Sequence, residues 1–79
     1  MIPKQLAGVL TSSQDTLSGV IRFDGTRVPV QALLDTLYSG KSVDDFLAGF
    51  PNVTRQQAEA VIRWEQELSR DYLGLEAAA

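Results

Sequence analysis

Residues 25–54 read GTRVPVQALLDTLYSGKSVDDFLAGFPNVT, and this stretch decides the fold. Pro29 fits the first position of a helix, where no amide hydrogen is needed. Val30, Leu33, Leu34 and Leu37 then recur at i, i+3, i+4 and i+7, the spacing of one apolar helical face. Gly40 ends that helix where a left-handed backbone is tolerated. Ser42 caps a second helix, with Asp44 and Asp45 in its first turn, where the helix dipole favours negative charge. Val43, Phe46, Leu47 and Phe50 repeat the apolar face, and Pro51 forbids extension. Start and stop signals this dense predict short helices joined tightly, with a helix-turn-helix among them.

Downstream, Thr54 caps a third helix and Gln57 stands three residues on, the pattern of a capping box. Val53 and Ala58 are placed as the hydrophobic staple beside it. This helix is predicted from Arg55 to about Leu73, with Gly74 as terminator and a length of roughly 28 Å. Its apolar stripe is Ala58, Val61, Trp64, Leu68, Tyr72 and Leu75. Arg55, Glu59, Arg63, Gln66 and Arg70 lie on the other side, and Glu59 with Arg63 forms a favourable i, i+4 pair. Two short helices do not cover a stripe six positions long. Leu68, Tyr72 and Leu75 are therefore expected outside the core as an association surface, with Trp64 at its root. The alternative is that residues 1–19 fold back over it. A homodimer is expected, held by this half-helix or by the N-terminal strands. The terminal Glu76-Ala-Ala-Ala reads as a frayed end.

Upstream, Leu6, Val9 and Leu10 suggest a short strand and Ser12–Asp15 a turn. A clearer strand runs from Val20 to Phe23. Asp24-Gly25 suits a two-residue turn, and Thr26–Val28 is the expected return strand. That register sets Phe23 against Thr26, Ile21 against Val28 and Arg22 against Arg27. Two arginines face to face repel. Either each reaches away to a carboxylate such as Asp24, Asp35 or Asp45, or the pair binds an anion or a partner. The expected organisation is one domain: residues 1–28 as a strand and hairpin arm, residues 29–76 as a three-helix bundle. The fold class is mainly α with a short N-terminal β-hairpin.

Composition removes several functions. A chain of 79 residues buries only about 60% of the surface its unfolded form exposes. It has no cysteine and no histidine, so thiolate zinc sites, disulfides and the commonest general base are missing. Ser12, Ser13 and Ser39 have no histidine to activate them. Asp44 and Asp45 diverge by about 100° on a helix and read as dipole partners, not an acid-base pair. No glycine loop cradles phosphate. A non-enzyme without cofactor or metal is expected. No apolar run is long enough to span a membrane, and MIPKQLAGVL is too short for a secretory signal, so the cytoplasm is the expected location.

The net charge of −3 argues against strong solitary DNA binding, which draws on phosphate neutralisation, and suits a partner with a basic surface. If the second and third helices do enter a major groove, the contacting residues are Thr54, Arg55 and Gln56, with Arg63 a turn further. Lys41 and Ser42 would meet phosphate. Glu59, Glu65 and Glu67 weaken that reading.

The run from Gly25 to Ile62 resembles the bacterial and archaeal family called domain of unknown function four-three-three. Gly25, Thr26, Arg27, Val28, Pro29 and Val30 match its opening; Gly40, Ser42, Asp44, Asp45, Phe46 and Leu47 its middle; Phe50, Pro51, Val53, Thr54, Gln57 and Ala58 its close. The strand before GTR departs from the family, with Val20-Ile21 after Gly19 where a proline is common. The resemblance implies a homeodomain-like three-helix fold, typically dimeric, and an antitoxin-like role of the type II toxin-antitoxin kind. Such a protein binds a PIN-type ribonuclease toxin and its own operator DNA. The toxin contact would be Leu68–Leu75 or the hairpin arginines Arg22 and Arg27. The alternatives are a stand-alone dimeric DNA-binding transcriptional regulator and a structural protein-interaction module.

Overall fold

The computed structural model describes residues 2–12 and 20–76. Their order is a 3-10 turn at Lys4–Leu6, strand β1 Leu10–Ser12, strand β2 Ile21–Phe23, and helices α1 Val30–Tyr38, α2 Val43–Gly49 and α3 Arg55–Leu73. The fold is mainly α, with a two-stranded antiparallel sheet at its N-terminal side.

The core joins one or two side chains from each element. Leu6, Leu10, Phe23, Leu33, Phe46, Val53, Ala58 and Val61 are buried and form one cluster. Phe23 and Phe46 meet with ring centroids 5.9 Å apart, and Phe50 continues the stack 5.0 Å from Phe46. α1 packs on α2 and on β2, while the 3-10 turn lies against α3 and inserts Leu6. Both capping boxes form. The Ser42 hydroxyl accepts from the Asp45 amide at 3.1 Å, and Asp45 accepts from the Ser42 amide at 3.0 Å. Thr54 and Gln57 repeat the exchange at 3.1 and 3.0 Å. Val53 and Ala58 are both buried, as the staple requires.

The hairpin differs from expectation. β2 pairs with β1, with Leu10 opposite Phe23, Thr11 opposite Arg22 and Ser12 opposite Ile21. Leu10 thus belongs to a strand that starts where the one suggested by Leu6, Val9 and Leu10 ends. Ser12 lies in β1, and the rest of the suggested turn at Ser12–Asp15 falls outside the described residues, as do Gly19 and residues 77–79. Thr26 does not return as a strand residue. Its amide bonds back to the Phe23 carbonyl at 3.0 Å, its hydroxyl donates to the same oxygen, and that hydroxyl accepts from the Val28 amide. Thr26 is therefore consumed by a turn in which Gly25 takes φ 77°. Among the described residues, only the Phe23 amide to Val28 carbonyl bond, 2.9 Å, and a bridge between Arg22 and Pro29 line the second edge of β2. Pro29 has no amide to extend a ladder there. Arg22 therefore faces Thr11 and Pro29, not Arg27.

One boundary shifts by a residue. Pro29 is the N-cap of α1, with extended backbone at φ −70° and ψ 147°, and the helix begins at Val30. At the other end Ser39 is the C-cap and Gly40 follows at φ 91°, the left-handed position expected of it.

α3 outruns its neighbours. The molecule measures 39 × 27 × 20 Å, and the buried side chains of α3 are Ala58 and Val61, both in its first half. Trp64 is half-buried against the core. Leu68, Tyr72 and Leu75 are exposed, although the leading segment does pack on the same helix. Gly74 closes α3 in the left-handed conformation, φ 73° and ψ 26°, and the Leu75 amide bonds to the Arg70 carbonyl at 2.8 Å.

Candidate functional site

Two surfaces hold the candidate residues. The first is built by the loop before α2 and by the N-terminal half of α3. Lys41 is exposed on that loop. The Ser42 and Thr54 hydroxyls are both engaged as helix caps, accepting from the Asp45 and Gln57 amides. Gln56 and Arg63 are exposed. Arg55 is exposed but already paired: its guanidinium binds the Asp44 carboxylate of α2 and reaches Glu59 at 3.5 Å. The hydrogen bond and charge of Asp44, then those of Glu59, hold the Arg55 proton more firmly than usual. A phosphate or base edge would have to displace two carboxylates from it. Glu59 therefore pairs with Arg55, four residues before it, where Arg63 was the expected partner.

One residue of this region was expected only as a cap and does more. Gln57 uses its carbonyl oxygen on the Thr54 amide and donates from Nε2 to the Asp24 carbonyl at 3.0 Å. It fastens the turn before α1 to the start of α3. The 33-residue separation leaves no local signal of that bond in the sequence.

The second surface is apolar. Leu68 is 52% exposed and Tyr72 88%, and Leu75 follows beyond the helix end. On α1, Leu34 and Tyr38 are also exposed, Tyr38 at 95%. A shallow groove of about 440 Å³ runs between the helices, lined by Leu34, Asp35, Leu37 and Tyr38 of α1 and by Glu65 of α3. Leu34 belongs to the predicted apolar face of α1, yet it lies at the groove rim, not in the core. Tyr38 was not among the expected partner residues. Its signal was present, since it stands four residues after Leu34 on the same helical side.

The hairpin arginines are not assembled into a pair. Arg22 is half-buried and donates from Nε to the Thr26 carbonyl at 3.1 Å, while Arg27 is exposed. Among the described residues, no three His, Cys, Asp or Glu side chains converge as metal ligands. No helix of the described residues is long and apolar enough to cross a membrane.

Fold and surfaces define a small helical domain with an N-terminal strand pair and an exposed apolar end. Its sequence from residue 10 to 64 matches the family described as Protein of unknown function (DUF433), and the chain belongs to that family. The matched span ends at Trp64, so Leu68, Tyr72 and Leu75 lie beyond it. No curated protein and no solved structure matches the chain.

Proposed function

We propose that this protein is an antitoxin-like member of its family, acting in the cytoplasm without catalysis of its own. It binds a PIN-type ribonuclease toxin and, as a dimer, its own operator. The observation that carries the reading is the apolar end of α3, where Leu68, Tyr72 and Leu75 stand in solvent, uncovered by any described residue of the same chain. Exposed apolar groups clustered in this way favour association. The net charge of −3 suits a nuclease, whose RNA-binding groove is basic.

Co-expression with the product of the adjacent gene tests the proposal. A complex that survives gel filtration and restores growth is expected, and Leu68→Ser/Tyr72→Ser should dissolve it. If no complex forms and growth is not rescued, the antitoxin reading is wrong. Turnover by the purified protein with magnesium or manganese would overturn its description as a non-enzyme.

The second reading, a stand-alone DNA-binding regulator, is favoured by Lys41, Gln56 and Arg63, which are exposed on the first surface. It predicts operator binding whose affinity falls as salt rises. Because Arg55 is held by Asp44 and Glu59, Arg63→Ala should weaken that binding more than Arg55→Ala in a mobility-shift titration.

A further inference from the structure

The apolar stripe in the second half of α3 is bordered by carboxylates on both sides. At about 100° per residue, Trp64 and Tyr72 lie within about 40° of Leu68, with Glu65 about 60° to one side and Asp71 about 60° to the other. Glu67 follows beyond Asp71, whereas Arg63 and Arg70 stand roughly 140° and 160° away on the opposite face. Across the groove, α1 adds Leu34 and Tyr38 and a further carboxylate, Asp35. Among the described residues, none of Asp35, Glu65, Glu67 and Asp71 takes part in an ion pair. The face is thus apolar along its middle and anionic along its rims, with the helix's own cations turned away.

That charge pattern decides among occupants. Two copies laid stripe to stripe would set carboxylate rims against carboxylate rims, which disfavours self-pairing. An anionic lipid surface is repelled for the same reason. A cationic rim around an apolar stripe matches both features together. We propose that this face docks an amphipathic helical segment of another protein, its apolar residues flanked by lysine or arginine. The mode is a helix laid along a groove, anchored at i, i+3, i+4 and i+7. This deepens the partner-binding reading above and rests on it only in treating the end of α3 as a docking face. It does not require the partner to be a nuclease. Self-association, if it occurs, is left to other surfaces such as the N-terminal strands.

The test is a titration of the isotope-labelled full chain, followed by amide shifts, with two synthetic helical peptides. Both carry the same leucine stripe; one is flanked by lysine and the other by glutamate. The lysine peptide should move resonances around Leu34, Tyr38, Leu68 and Tyr72, with affinity at least about tenfold above the glutamate peptide and falling with salt. Glu65→Lys/Asp71→Lys should reverse that preference while circular dichroism shows unchanged helicity. Equal binding of the two peptides, or no binding of the lysine peptide, overturns the proposal. So does a dimer in sedimentation that Leu68→Ser/Tyr72→Ser dissociates, or saturable binding to phosphatidylserine vesicles that the same change abolishes. If the lysine peptide binds but the adjacent gene product forms no complex, this inference stands and the antitoxin reading falls. If a nuclease complex forms and is indifferent to Glu65→Lys/Asp71→Lys, the antitoxin reading stands and this inference falls.

Discussion

Gln57 serves the backbone amide of Thr54 with its oxygen and the carbonyl of Asp24 with its nitrogen. Truncation to alanine removes both bonds at once. We expect Gln57→Ala to cost about 1 kcal/mol in urea unfolding, the usual worth of a helix cap. Asp45 offers a pH test. Its carboxylate accepts from the Ser42 amide, then from the Ser42 hydroxyl, and lies near Lys41, so its pKa falls below the ordinary carboxylate value. A lowered folded pKa means that its stabilising contribution is complete above the unfolded value, about 3.9, and is lost as pH falls through the folded one. Asp45→Asn should therefore be less stable than the parent at neutral pH, and the gap should close as pH falls below the ordinary carboxylate range, read from urea midpoints. Both caps were legible because they are patterns three residues long. The pairing of Arg55 with Asp44 was not: eleven residues separate the partners, and only the placing of α2 beside the start of α3 brings them together.

At the level of elements, the helices and the strand ending at Phe23 were legible, and the pairing of the strands was not. Each helix carries its own period and its own punctuation, so Leu33, Phe46 and Val61 identify their faces without outside help. β2 has only three residues, too few for a pattern that names its partner. Thr26 is bonded into the turn and Pro29 lacks an amide, so no ladder forms on the edge facing them, and the paired strand is β1 on the other edge. Gly40 gives a prediction at this scale. A Cβ at Gly40 meets nothing within 4 Å, so Gly40→Ala tests backbone conformation alone. With φ at 91° the change should destabilise by about 1–2 kcal/mol, measured by thermal unfolding. The end of α3 should behave differently. Leu68→Ser/Tyr72→Ser should leave stability within about 0.5 kcal/mol, because neither side chain is buried.

For the molecule as a whole, eight buried side chains among the described residues hold together five elements and a turn. A domain of this size has a stability of roughly 4–12 kcal/mol. Leu33→Ala should remove about 2–5 kcal/mol of that and leave a substantial unfolded fraction on mild heating, followed by circular dichroism. The contrast with Leu68 and Tyr72 marks where structure stops and association begins. The excess length of α3 was readable from counting apolar positions. The carboxylate rims of α3 follow from its helical spacing, whereas the groove shared with α1 needed α1 and α3 set side by side. Because the last turns of α3 give no buried side chain to the core, they are free to change without endangering the fold. New recognition can evolve there by substitution alone, on a scaffold that does not register the difference.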